Sequence, residues 1–308
     1  MIYTVTCNPA VDYLMYFEDL SIGAIQRSVR EAYYFSGKGI NVSKVLKTLG
    51  HDSVALGFLA GFTGAAIADD LTAWGIAQDF CMLKEGNTRI NVKIRHGKET
   101  DLNAQGPIIP DRAIAALHAK LGTLRDGDVL ILSGSIPKSM AKTAYAEMLR
   151  TVKGKNVPVF VDADGELLRN ALPERPFFIK PNREELEALL GRAMQSDGEL
   201  LAGARELQGL GARNLLISLG GDGAMLCLEN GEAYRIGAAK GTCISSSGAG
   251  DSLLAGFVAQ WTQTGDVLSA LRNGSAAGAA TAFSEGLATK DDVLRILETL
   301  PYPERIGM

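Results

Sequence analysis

The stretch Ile244–Val258, ISSSGAGDSLLAGFV, decides how the rest of the chain is read. Gly248, Ala249 and Gly250 have almost no side-chain bulk, so the backbone can turn sharply there and a ligand can approach its N–H groups. An amphipathic helix follows directly. The first N–H groups of a helix lack internal acceptors and lie at the positive end of its dipole, so this end suits an anion such as a phosphate. Asp251 falls in that first turn. A carboxylate there has two readings: a helix cap, or a base that takes a proton from a hydroxyl attacking a phosphate. The stretch alone supports both.

Composition limits what such a site can belong to. The 308 residues are 46% apolar and 21% charged, an ordinary globular balance with enough chain for one large α/β domain. The net charge is −4 and no Lys/Arg block occurs, which removes electrostatic support for a nucleic-acid or membrane-surface role. Small molecules are therefore the expected partners. Cys7, Cys81, Cys227 and Cys243 are scattered without a C-x-x-C pair or a nearby His, which argues against zinc and against a disulfide framework; they read as reduced core thiols. The opening MIYTVTCNPAVDY has no basic leader and no apolar run is long enough to span a bilayer, so a cytoplasmic protein is expected.

Ile2–Thr6 alternates like a strand, and Asn8-Pro9 ends it, placing Asp12 in a loop at a strand end, where open α/β sheets put ligands. A turn aspartate is the alternative. Residues 13–35 are aromatic and weakly periodic, suggesting short antiparallel strands. SGKGINVSKVLKTLG (36–50) is a second glycine-rich turn into a helix, with Val42, Val45, Leu46 and Leu49 on one face. Gly37 and Gly39 around Lys38 resemble a phosphate loop, yet neither G-x-x-x-x-G-K-[ST] nor G-x-G-x-x-G is met, which rejects a P-loop NTPase and a dinucleotide fold. Asn41 points out from this helix start and is a candidate for sugar hydroxyls.

Residues 88–94, TRINVKI, alternate with period two and pair with 99–102 across His96-Gly97-Lys98. With 13–35 they predict a small sheet able to cover a site, its polar face carrying Arg89, Asn91 and Lys93, the last read as merely solvated. From Pro110 onward helices (111–122, 141–152, 183–190, 197–209) alternate with apolar strands (129–132, 157–161, 177–180, 214–218), which predicts a mostly parallel sheet covered on both faces. Asn182 and Glu185 in KPNREE stand three apart at a helix opening and suit either a hydrated Mg²⁺ or a capping box. After a hairpin at 224–236 and the central stretch come helices at 265–284 and 289–299. The first of these is dense in small residues around Gly274 and Gly278, allowing close packing against a neighbour or a flat ligand.

Taken together, SGKGINVSKVLKTLG, KPNREE, SLGGDGA and SSSGAGDSLLAGF resemble, in that order and over nearly the whole chain, the phosphofructokinase B branch of the ribokinase-like sugar kinases. The resemblance implies an α/β fold, a three-layer α/β/α sandwich with a mostly parallel central sheet and a small β-sheet lid, as one domain over 1–308 with lid segments at about 13–35 and 84–103. It implies ATP-dependent phosphorylation of a ketohexose phosphate with Mg²⁺. Asp251 is then the catalytic base, and Gly248, Ala249 and Gly250 the anion hole. Asn182 and Glu185 serve the metal. Lys180, Ser218, Gly220 and Gly223 line the nucleotide site, with Asn273 and Ser275 near the adenine. Asp12, Gly37, Lys38, Asn41 and Arg89 hold the sugar phosphate. Within the family TRINVKI, ETDLNAQGP and ATAFSEG point to fructose 1-phosphate, with tagatose 6-phosphate or fructose 6-phosphate as alternatives and a homodimer through the lid as the expected assembly. Ser36 and Ala60 stand where the family more often has glycine, and Ser245-Ser246-Ser247 replaces its usual lead-in. A non-catalytic regulator that binds nucleotide or sugar phosphate is the reading from another class, disfavoured because a mere binder needs no base beside an anion hole.

Overall fold

A computed structural model describes residues 1–21 and 23–307. The first half of the chain holds β1 (Ile2–Thr6), β2 (Ala10–Tyr16), β3 (Arg30–Ser36), α1 (Lys38–Thr48), β4 (Ser53–Ala60), α2 (Gly61–Ala73), β5 (Ala77–Gln78), β6 (Cys81–Leu83), β7 (Arg89–His96), β8 (Lys98–Asn103), α3 (Asp111–Gly122), β9 (Val129–Ser133) and α4 (Ala144–Thr151). The second holds β10 (Val159–Asp162), α5 (Gly165–Ala171), β11 (Phe178–Ile179), α6 (Arg183–Leu190), α7 (Asp197–Gly209), β12 (Asn214–Ser218), β13 (Ala224–Cys227), β14 (Ala233–Ile236), α8 (Ala249–Thr264), α9 (Val267–Ala282), α10 (Lys290–Thr299) and β15 (Glu304–Arg305).

The main sheet runs β15-β14-β13-β12-β11-β10-β9-β1-β4-β5, with β6 also on β4. It is parallel from β12 to β5, and the β13–β14 hairpin and β15 extend it antiparallel. Strand side chains alternate between two cores, which is why these strands are apolar on both faces. Leu130, Leu132, Val161 and Ile217 meet Leu117, Tyr145, Leu168 and Leu207 on one side. Ile131, Phe160, Phe178 and Leu216 meet Val45, Leu254, Phe257 and Ala277 on the other. The result is the three-layer α/β/α arrangement expected from the sequence. Helices α8 and α9 touch backbone to backbone: a Cβ at Gly274 would lie 2.6 Å from the Leu253 carbonyl oxygen, and one at Gly256 2.8 Å from Ala277 Cβ. The small-residue stripe of α9 is thus used for helix packing.

The second sheet, in the order β3-β2-β7-β8, is mixed, with β2 and β7 parallel. It corrects one expectation. Asp12 is not in a loop: the chain resumes a strand at Ala10 because β2 is paired on both sides, Asp12 lying between Tyr34 and Asn91. The register also makes the sheet two-faced. Asp12, Arg89, Asn91, Lys93, Asp101 and Asn103 share one face, while Val11, Tyr13, Tyr33, Phe35, Ile90 and Val92 share the other. Helix α5, short and directly after a strand-ending turn, was not foreseen; residues 141–143 precede the helix expected to include them. Among the described residues no helix is long and apolar enough to cross a membrane.

Candidate active site

Two parallel strands, β10 and β11, and three helices, α1, α6 and α8, deliver charged groups to one place at the strands' C-terminal ends. Gly248 is the N-cap of α8, left-handed at φ 79°, and contributes no side-chain cap. Its own Cβ would press on Leu287 Cδ2 at 3.0 Å, so glycine suits this position on both counts. Asp251, third residue of α8, is 6% exposed and does not turn back to cap the helix. Instead its Oδ2 accepts from Asn41 Nδ2 at 2.8 Å, across the junction of α1 and α8. Asn41, expected at the sugar, thus has its amide nitrogen on this carboxylate. Burial first, then the nearby Asp162, push the Asp251 carboxyl up to about 6, against the pull of Asn41, Lys38 and Lys180.

Asp162 was missed in the sequence. It ends β10 in a run, VFVD, that otherwise reads as an apolar core strand, and it is 0% exposed. Its Oδ1 accepts from Lys38 Nζ at 3.0 Å and its Oδ2 lies 3.3 Å from Lys180 Nζ. A carboxylate ending a buried strand was the available signal, since open α/β sheets place ligands at strand C-termini. The two lysines compensate a charge that would be expensive alone. Burial draws the Lys38 ammonium down, but Asp162, Asp251 and Glu185 outweigh it and hold Lys38 firmly protonated. Lys38, expected with Arg89 on the sugar's phosphate, thus stands among the acids of this centre. Lys180 points at the start of α8, since a Cβ on Gly250 would lie 3.3 Å from its Nζ. The Ala249 N–H donates to the Ser246 carbonyl at 3.3 Å, which leaves Gly250 and Asp251 N–H as first-turn donors beside Lys180.

A family model for pfkB carbohydrate kinases matches residues 6–293. The chain belongs to the pfkB family. The 1-phosphofructokinase of Bacillus subtilis is 41% identical to it over 96% of this chain and 97% of its own. D-tagatose-1-phosphate kinase of Bacillus licheniformis is 37% identical over 97% of each. Phosphofructokinase-2 from Escherichia coli, solved in complex with fructose-6-phosphate, superposes with a TM-score of 0.89 over 97% of this chain and 98% of that one; at 24% identity this likeness carries the fold alone. A sugar-phosphate kinase of the pfkB family takes ATP as co-substrate.

The remaining residues that the sequence resemblance assigned to a site fall into three groups. Of those expected at the sugar, Gly37 opens α1 at φ 147°, where a Cβ would meet Thr6 Cγ2 at 2.6 Å. Arg89 donates Nε to the Asn8 carbonyl at 3.2 Å, and burial lowers its pKa against the pull of Asp12. Asp12 Oδ1 accepts from Asn91 Nδ2 at 2.8 Å. Lys93, read as solvated, is not: its side chain is 16% exposed and faces Asp12.

Asn182 and Glu185, expected at the metal, form a capping box on α6, Asn182 Oδ1 accepting from Glu185 N–H at 2.7 Å and Glu185 Oε2 from Asn182 N–H at 2.9 Å. That commits the Asn182 amide oxygen and one Glu185 oxygen to the helix, while the Glu185 charge still acts on Lys38. Among the described residues no three His, Cys, Asp or Glu are grouped as a metal cage. One free carboxylate oxygen fits a Mg²⁺ that keeps its waters and leans on substrate phosphates.

Of those expected at the nucleotide, Ser218 bridges to Asn182 at the end of β12, and Gly220 and Gly223 shape the turn into β13. Gly223 is required there, because a Cβ would lie 2.1 Å from the Ile236 carbonyl oxygen. Ser275 is buried with its hydroxyl unpartnered, whereas Asn273 is drawn to Gln260 at 3.1 Å, about 15 Å along α8 from its start. Of the cysteines, Cys7, Cys81 and Cys227 are buried free thiols, burial pushing Cys7 and Cys227 up to about 12; Cys243 is exposed, contrary to the expected core placement.

Proposed function

We propose that this protein transfers the γ-phosphoryl group of ATP to the 6-hydroxyl of fructose 1-phosphate, giving fructose 1,6-bisphosphate. The observation that carries this reading is Asp251, a buried carboxylate at a helix start with two lysines beside it and a carboxyl raised to about 6. A base of that pKa is ionised at neutral pH yet able to take a hydroxyl proton as the O–P bond forms. Asn41 holds one oxygen, which leaves Oδ1 for the primary hydroxyl. Gly250 and Asp251 N–H with Lys38 and Lys180 stabilise the charge on the transferring group, and Asp162 keeps both ammonium groups aimed. Glu185 would hold a hydrated Mg²⁺ through its uncommitted oxygen, and the ion would neutralise phosphate charge there.

The phosphate already on the sugar lies at the opposite end of the substrate, on Arg89, whose terminal nitrogens form the fork suited to phosphate oxygens. Asp12 reads sugar hydroxyls between the two ends. The second sheet closes over the sugar with its polar face, and its apolar face, where Tyr33 is 65% exposed, pairs with a second copy. Sugar binding then protects residues 13–35 and 84–103 from hydrogen exchange more than the core strands.

The test is ATP consumption over a panel of fructose 1-phosphate, fructose 6-phosphate, tagatose 1-phosphate, tagatose 6-phosphate and free fructose. The highest kcat/KM is expected for fructose 1-phosphate. Tagatose 1-phosphate is the second reading, since a relative 37% identical over 97% of the chain carries that activity in its name. It differs from the first by one stereocentre and asks the same ends of the site to do the same work. A 6-phosphate at the top of the panel overturns the substrate and leaves the kinase chemistry in place.

A further inference from the structure

We infer that Lys93 and Asn91 are the specificity-determining pair of the second sheet: together they hold the Asp12 side chain in place as a reader of sugar hydroxyls in a site that must also accept a phosphate. The inference rests on the proposed sugar-phosphate kinase function and goes beyond it by assigning two further residues. Asp12 raises the problem. A carboxylate is a good acceptor for sugar hydroxyls, but it shares the polar face with Arg89, close enough that its charge acts on the guanidinium. Left alone it would repel the dianion that Arg89 is there to hold.

The polar face supplies the answer. Asn91 is directly opposite Asp12 in the parallel β2–β7 ladder and donates Nδ2 to Asp12 Oδ1 at 2.8 Å. Its own Oδ1 is buried and unpartnered, an acceptor open to a hydroxyl. Lys93, two residues on and therefore on the same face, places Nζ 3.7 Å from Asp12 Oδ2. Its other neighbour is Asp101 Oδ2 at 3.8 Å, on β8. Both distances lie beyond hydrogen-bond reach, so the ammonium neutralises without consuming the lone pairs of Asp12. A side chain only 16% exposed, held between two carboxylates and fully bonded to neither, is placed for a third oxygen to enter. Asp12 Oδ2 and Asn91 Oδ1 accept from sugar hydroxyls, and Lys93 donates to them and offsets the Asp12 charge felt by the phosphate on Arg89.

The experiment is steady-state kinetics of wild type, Lys93→Met, Lys93→Arg and Asp101→Asn, with whichever sugar phosphate the panel ranks first and with its unphosphorylated sugar. Lys93→Met should raise KM for the sugar phosphate about tenfold, between the value of an exposed ion pair and that of a buried one, while kcat moves less than about threefold and KM for ATP holds. Discrimination against the unphosphorylated sugar should fall by a similar factor. Lys93→Arg should recover most of the loss. Asp101→Asn, which removes the neighbour across the ladder, should leave KM within about twofold. Lys93→Gln replaces the methionine variant if the latter does not fold. An unchanged KM in the neutral variants overturns the assignment, as does an Asp101→Asn variant that reproduces their effect, because Lys93 would then only join two strands. If the wild type phosphorylates no sugar phosphate, the kinase reading fails and takes this one with it; if it does and Lys93 is silent, only this one fails.

Discussion

Helices α6 and α8 both begin at the edge of the same centre, and both carry an acid at their third position, Glu185 in one and Asp251 in the other. They use it in opposite ways. In α6 the preceding Asn182 has extended backbone and a side chain that reaches the Glu185 N–H, so amide and carboxylate close the helix on each other. In α8 the preceding residue is Gly248, left-handed and without a side chain, so the helix end stays open and Asp251 is free to be taken by Asn41. The acid at the third position does not decide whether a helix end is closed by a side-chain cap or left open. The residue before the helix does, together with what the neighbouring helix offers.

The sharpest way to break this comparison is Asp251→Asn, which keeps shape and removes proton acceptance. Turnover should fall about 10²–10⁴-fold with ATP affinity little changed; near wild-type turnover in a coupled assay would make α8 just another capped helix. The pH profile is the second test. With the Asp251 carboxyl at about 6, kcat/KM for wild type should fall about tenfold per pH unit below that value, and an acid limb near pH 4 would deny the burial its effect.

The same raised pKa makes a stability prediction of opposite sign to the activity loss. The folded protein prefers protonated Asp251, so the stability it contributes is present below the ordinary carboxyl value of 3.8 and is lost as pH rises through about 6. Above that, the charged form costs the fold up to about 3 kcal/mol. Asp251→Asn should therefore raise Tm at pH 8, with the gain gone below about pH 4, as followed by thermal melts. Glu185→Gln sharpens the other half. Glutamine still serves a capping box, so Tm should hold, while the Mg²⁺ concentration for half-maximal rate rises several-fold as the site loses a charge. A drop in Tm with unchanged Mg²⁺ demand would leave Glu185 a cap alone. The smallest effect is that of Asn182→Ala, about 1 kcal/mol in denaturant melts, the usual worth of an N-cap.

The layers of the fold were legible because their cause is local. Strands buried on both faces must be apolar throughout, helices covering them must be apolar on one side, and both patterns are written residue by residue from Val129 to Ile217. Gly248 and Asp251 were legible for the same reason, as one short run holds the turn and the acid. What sequence left open was every question settled between elements. The two-sided pairing of β2 made Asp12 a strand residue, because hydrogen bonds to Tyr34 and Asn91 neighbours outweigh the break at Pro9.

The sequence by itself determined a three-layer α/β kinase of the pfkB family with an open helix end at Gly248 and an acid behind it, since backbone freedom, periodicity and motif order are properties of consecutive residues. Only the tertiary structure decided which groups meet there. Asn41 and Asp251 are 210 residues apart, and Lys38 and Asp162 124 apart. Their 2.8 Å and 3.0 Å contacts exist because parallel strands end together and bring the helix starts of distant segments to one edge of the sheet.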